Sequence, residues 1–141
     1  MPARTGTASW SGNLIDGKGH VKLGSGVFEG SYDWRSRSGD GAGTNPEELI
    51  AAAHAGCYAM ALSHMLSEAG HVPSSVNASA KVHLEKAGDG FEIPLIELSV
   101  DADVPGIDKS KFHELAEGAK AGCPVSKALK GARITLSATL K

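Results

Sequence analysis

Cys57 and Cys123 are the two cysteines of this 141-residue chain, and their local settings differ. Cys57 lies in the middle of a long apolar stretch, with His54 about one helical turn before it and His64 about two turns after. Unpaired cysteine is among the most buried residue types, so an inert core thiol and a reactive one are both open here. Cys123 immediately precedes Pro124. Proline suits the first position of a helix, which puts Cys123 at the N-cap, where unpaired N–H groups and the positive end of the dipole favour a thiolate. On that argument Cys123 is the more activated thiol, but this does not decide which cysteine attacks first. His54, Cys57, His64 and Cys123 could hold zinc, yet their spacing is unlike the compact ligand pairs of common zinc sites. There is no Gly-x-Gly-x-x-Gly after a strand, no P-loop, no His-Glu-x-x-His and no Gly-x-Ser-x-Gly. Arg35 and Arg37 fall in a Gly/Ser/Asp-rich segment; in extended backbone they point the same way, and solvated arginines are the ordinary reading.

The element that must carry Cys57 runs from Asn45 to Gly70. Asn45 can cap, Pro46 fits the first helical position, Glu47 and Glu48 meet the positive dipole end, and Gly70 suits a left-handed cap. Between them the residues are Ala-rich and free of proline, which predicts a helix of about 24 residues, or roughly 36 Å. Leu49, Ile50, Ala53, Tyr58, Ala61, Leu62, Met65 and Leu66 leave little polar surface, so the helix should be buried over more than one face.

Around it, residues 5–10 and 20–28 read as strands, with 24–43 mostly loop. Val76 to Leu84 and Ile96 to Ala102 alternate apolar and polar residues about an Ala87-Gly88-Asp89-Gly90 turn, which is a hairpin with an irregularity near Pro94. Asp108 caps a second helix with Phe112, Leu115, Ala116 and Ala119 on one face, and Ile134 to Leu140 alternates as a last strand. The order predicts an α+β fold in one domain, residues 1–141. The chain's length allows a useful core. Its net charge of −2 gives no reason to expect nucleic acid or an anionic membrane. No apolar run reads as long enough to span a bilayer, and residues 1–6 lack a signal-peptide core. The expectation is a cytoplasmic protein, where a standing disulfide is disfavoured and two cysteines are spectators, ligands or redox groups.

Asn45-Pro46-Glu47-Glu48-Leu49 leading to His54-Ala55-Gly56-Cys57, together with Gly122-Cys123-Pro124-Val125-Ser126, resembles the OsmC/Ohr family. The likeness extends to Val104-Pro105-Gly106-Ile107-Asp108 and to the strand of Trp10. It implies a thiol-dependent peroxidase acting on organic hydroperoxides, and on hydrogen peroxide in some members. The implied fold is an intertwined α+β homodimer with antiparallel sheets around long central helices and two sites at the subunit interface. Carried over, the resemblance makes Cys57 the peroxidatic thiol, Cys123 the resolving one, and Glu47 the carboxylate that orients an arginine beside the thiol. Counting back without gaps from Cys57 gives Arg37, with Arg35 as the alternative.

These residue types suit that chemistry. A thiol of pKa about 8.5 is only roughly 3% ionised at pH 7, whereas one of about 6 is roughly 90% ionised, a shift that a neighbouring arginine can supply. Attack on a peroxide leaves a sulfenic acid, which the second thiol condenses to a disulfide. No cofactor or metal is needed. The partners implied are a hydroperoxide, a thiol or dithiol reductant such as a lipoyl protein, and a second copy of the chain. Helix geometry points to that copy as well: ten helical residues put Glu47 and Cys57 about 15 Å apart along one axis, too far for one site. Two copies crossing antiparallel near Ala52 would bring Glu47 of one beside Cys57 of the other. A dimer that binds a hydrophobic ligand, or a cysteine redox sensor, stands as the alternative.

Overall fold

Turn and cap chemistry divide the chain before packing does. The computed structural model describes every residue from Met1 to Lys141. It comprises two compact units, Met1–Leu49 and Ile50–Lys141. In the first, β1 (Gly6–Ser11), β2 (Lys18–Leu23) and β3 (Glu29–Tyr32) form an antiparallel sheet in that order. The strand expected over 20–28 is cut at Leu23, because Gly26 takes φ +77° and its N–H donates to Leu23 O at 2.9 Å. At Gly19 the rings of Trp10 and Tyr32 meet across β2, with centroids 5.5 Å apart. A Cβ on Gly19 would come 2.5 Å from the Tyr32 ring and 2.6 Å from the Trp10 ring, so only glycine leaves room for the pair.

The expected loop around Arg35 and Arg37 is corrected by the structure, which forms a short helix α1 (Trp34–Ser38) there. Asp33 and Ser36 cap it reciprocally: Ser36 N–H donates to Asp33 Oδ1 at 2.8 Å and Asp33 N–H to Ser36 Oγ at 2.9 Å. Two residues apart on a helix are turned about 200° from each other, so Arg35 and Arg37 do not share a face.

α2 (Pro46–Glu68) forms as its caps predict. Asn45 Oδ1 accepts from Glu48 N–H at 2.8 Å. Gly70 sits at φ +87° while His71 N–H returns to Leu66 O at 2.8 Å, the bond of a Schellman ending. Its first turn belongs to the first unit and the remainder to the second. Within one chain, one stripe at four-residue spacing is fully buried: His54, Tyr58, Leu62 and Leu66. Ala52, Ala53, Gly56 and Met60 are exposed, Met60 at 76%. By length and composition α2 is also apolar enough to cross a bilayer, contrary to the expectation that no apolar run is long enough. The buried stripe nevertheless packs into a core as in the central helix of a globular unit.

That core belongs to the second unit. β4 (Ser75–Ala87) and β5 (Gly90–Asp103) pair antiparallel. The register slips between His83 and Glu85, opposite Pro94, where a residue without an N–H cannot continue the ladder. β6 (Arg133–Leu140) runs parallel to β5, so this sheet is mixed rather than wholly antiparallel. The reason is the crossover between them, α3 (Lys109–Gly122) and the single turn α4 (Pro124–Ala128), which returns the chain to the starting end of the sheet. Asp108 caps α3 as expected, and Leu98, Val100 and Ala102 of β5 pack with Tyr58, Leu62, Leu66, Phe112, Leu115, Ala116 and Ala119. Phe112 is fully buried at the centre of this cluster. Phe112→Ala should therefore lower unfolding stability by about 3–5 kcal/mol, read as a shift in the urea midpoint with unchanged slope. A loss below about 1 kcal/mol would mean that the cluster is not the core.

Candidate active site

In the first unit, α1 and the opening turn of α2 hold an ion pair. Ser36 Oγ donates to Thr44 O at 2.8 Å and Asn45 Nδ2 to Ser36 O at 3.0 Å, which ties α1 to the start of α2. Arg37 then lies over Glu47: Nη2 donates to Oε1 at 2.8 Å, and Nε to Oε1 and Oε2 at 3.2 Å each. The Glu47 side chain is 9% exposed and that of Arg37 34%. A two-pronged contact of this kind fixes the plane and direction of a guanidinium. Of the two candidate arginines, Arg37 is the one paired with Glu47, and Arg35 is exposed. Arg37 also borders a cavity of about 330 Å³ walled by Trp10, Leu14, Tyr32, Asp33 and Trp34.

In the second unit, α2 and the α3–α4 junction bring the two thiols together. Cys57 and Cys123 are free cysteines with their Sγ atoms 2.8 Å apart. Cys57 is half-buried and Cys123 fully buried. Cys123 is both the end of α3 and the N-cap of α4, as Pro124 predicts. α4 is a single turn, so its dipole is small and nearby groups do the tuning. Burial pushes the Cys123 thiol up. The Cys57 thiol, the Ser126 N–H and hydroxyl, and the Val125 N–H together outweigh burial and bring it below the ordinary thiol range. Cys57 moves the other way: burial raises it first, the Cys123 thiol adds to that, and the Val125 N–H opposes. None of the groups acting on Cys57 is a cation.

Behind Cys123 stands a pair that the sequence reading left out. His54 Nε2 and Ser126 Oγ are 2.7 Å apart, His54 fully buried and Ser126 5% exposed. Burial pushes the His54 imidazole below its usual range, so it is neutral at pH 7. The signal was present in Cys123-Pro124-Val125-Ser126, where a hydroxyl falls at the third helical position after an N-cap. His64 lies apart, beside Met60 and Val76, and no three His, Cys, Asp or Glu side chains converge, so the zinc reading of His54, Cys57, His64 and Cys123 falls.

A family model for OsmC-like protein matches residues 39–137. Peroxiredoxin OsmC of Escherichia coli (strain K12) is 50% identical over 139 residues, spanning 98% of this chain and 96% of that one. The organic hydroperoxide resistance protein OhrB of Bacillus subtilis (strain 168) is 30% identical over 115 residues, 80% of this chain and 82% of that one. The crystal structure of OhrB of Bacillus subtilis superposes with a TM-score of 0.68 at 28% identity, covering 97% of this chain and 98% of that one. With residues 39–137 matched by the family model and a 50% identical relative spanning 98% of its length, the chain belongs to the OsmC-like protein family.

Proposed function

We propose that the protein is a thiol-dependent peroxidase that reduces organic hydroperoxides, with Cys57 as the attacking thiol and Cys123 as the resolving one. A peroxide-related redox role is supported by the names of its relatives, peroxiredoxin OsmC and organic hydroperoxide resistance protein. The observation that carries the mechanism is the pair of free thiols 2.8 Å apart. The Cys57 thiolate attacks one peroxide oxygen, the O–O bond breaks, and the alcohol leaves after protonation. Cys57 is left as a sulfenic acid, and Cys123 displaces its hydroxyl as water to form a disulfide. A thiol or dithiol reductant such as a lipoyl protein then restores both cysteines, and a cytosolic setting suits that cycle.

Burial alone leaves Cys57 poorly ionised, so the reading requires a cation beside it. Arg37, oriented by Glu47, is that cation. It would also hydrogen-bond the peroxide and stabilise charge on the leaving oxygen. The helix rise separates Glu47 from Cys57 by about 15 Å within one chain, so the reading includes a homodimer in which Arg37 and Glu47 serve the partner's thiol. The exposed small-residue face of α2, with Ala52, Ala53 and Gly56, supports a close crossing of two such helices.

One equivalent of cumene hydroperoxide should remove both free thiols, and added dithiothreitol should restore them and sustain peroxide consumption. If both thiols survive in the folded protein, the peroxidase reading is lost. If they oxidise once without turnover under any dithiol, the protein is a redox sensor.

A further inference from the structure

His54 is fully buried on the core stripe of α2 and makes one polar contact, Nε2 to Ser126 Oγ at 2.7 Å. Its Nδ1 is buried with no hydrogen-bond partner. A neutral imidazole has one donor nitrogen and one acceptor nitrogen, so the orphan fixes the tautomer. With the hydrogen on Nδ1, a buried N–H would go unpaired, which folded proteins rarely tolerate. With the hydrogen on Nε2, only a lone pair goes unpaired. His54 Nε2–H therefore donates to Ser126 Oγ. That bond occupies the serine as an acceptor and leaves its own hydrogen to point elsewhere, and Ser126 is the third residue of the single turn that Cys123 caps, within the reach of a capping side chain. Its hydroxyl is also one of the groups that lower the Cys123 thiol.

We propose that His54 and Ser126 are positioning residues for the second thiol: His54 holds the Ser126 hydroxyl so that it donates to Cys123 Sγ and keeps that sulfur ready to attack. The use of this readiness rests on the peroxidase reading above; the contact itself does not. In the step served, the Cys123 sulfur forms a bond to the Cys57 sulfur and the Cys57 S–O bond breaks. The departing hydroxide takes up the proton that Cys123 released, giving water. The attacking lone pair of Cys123 becomes the S–S bond, so Cys123 rises and Cys57 falls by one oxidation level each, and the two electrons lost by the thiol pair have gone to the peroxide, the only oxidant. His54 neither gains nor loses a proton. It acts from behind, from the dry side of the site, which is why a neutral imidazole suffices.

The groups that face Cys123 are few. Cys57 bears on it from α2, and Ser126 and Val125 from α4; no charged side chain is among them. The only effect on His54 itself is burial. Glu117 of α3 acts on Tyr58 rather than on either group. The Cys123 titration therefore reports the serine contact with little interference.

The test uses a Cys57→Ser background, so that Cys123 is the only thiol, and follows the ultraviolet absorbance of its thiolate against pH. Ser126→Ala and His54→Leu should each raise the midpoint by about one pH unit. His54→Gln, whose amide Nε2–H can stand where the imidazole Nε2–H stood, should stay within a few tenths of a unit of the parent. In the two-cysteine protein treated with cumene hydroperoxide, the dimedone-trappable sulfenic acid should live about tenfold longer in His54→Leu than in the parent. The rate of its formation should change less than twofold. An unmoved midpoint in Ser126→Ala or in a folded His54→Leu overturns the proposal, and so does a shift in His54→Gln equal to that in His54→Leu. Ser126→Ala removes one oxygen only and decides the matter if His54→Leu does not fold. If the midpoints move as stated but the parent protein yields no sulfenic acid with hydroperoxide, the positioning role is supported and the peroxidase reading alone fails.

Discussion

Arg37→Ala should slow the consumption of cumene hydroperoxide about 10²–10³-fold, while Arg35→Ala stays within about twofold of the parent protein. The asymmetry follows from α1. The two side chains leave the helix on different sides, and only Arg37 is clamped by Glu47, through three N–H···O contacts of 2.8 to 3.2 Å. Arg35 is exposed and lines a separate polar hollow with Lys18, Asp40 and Gly41. Arg37→Lys should recover little, because a single ammonium cannot match the fork that holds Glu47 and that the proposed mechanism also turns to a peroxide oxygen. Arg37→Ala also leaves a nearly buried carboxylate without its partner, at an expected cost of about 1–3 kcal/mol. Peroxide assays should therefore be run well below the unfolding transition and beside a urea titration of the same variant. Equal, small effects of both substitutions would remove the arginine from the mechanism. A crippling Arg35→Ala with a harmless Arg37→Ala would give the role to the wrong side of α1 and contradict the pairing with Glu47.

Mixing two inactive variants should restore activity. Glu47→Ala chains lack the carboxylate that clamps Arg37, and Cys57→Ser chains lack the thiol proposed to attack. If each site takes Glu47 from one chain and Cys57 from the other, a mixed dimer has one site with both defects and one with none. Mixed dimers should then reach about half the activity of the parent dimer, since twofold symmetry makes the two parental sites equivalent. The expectation is grounded in the exposed Ala52, Ala53, Gly56 and Met60 face of α2, and in the helix rise that sets Glu47 about 15 Å from Cys57 along α2. The measurement is peroxide turnover after subunit exchange, with exchange confirmed by mass-tagged chains. Full exchange with no recovered activity would show that each chain completes its own site.

The long elements were legible because each carries its own start, stop and period. Asn45, Pro46 and Gly70 bound α2 to within two residues, and the alternation of Ile96, Leu98, Val100 and Ala102 marks the buried face of β5. Asp108 and Cys123-Pro124 mark helix starts for the same local reason. α1 was missed because five residues are too few to show a period, and its Asp33–Ser36 capping box stood inside a glycine-rich run that reads as loop. The parallel course of β6 was not legible either, since strand alternation says which face is buried and not which way a neighbour runs. The Arg37–Glu47 and Cys57–Cys123 pairs were reached through a resemblance rather than from spacing. Ser126 carried a local signal as the third residue after the Cys123 cap, but its pairing with His54, 72 residues away, was legible by neither route.

The mixed sheet has a consequence for synthesis. β4 and β5 lie next to each other in the chain and can zip as a hairpin soon after leaving the ribosome, but the other edge of β5 is completed by β6, which is made after α3 and α4. While residues 104–132 are being added, β5 is paired on one side only, and its open N–H and C=O groups are a template for any passing strand. Ile134, Leu136, Ala138 and Leu140, which pack against the core, arrive only after that interval. Until β6 emerges the nascent chain carries an adhesive edge, and a truncation shortly before Arg133 would leave that edge open for good.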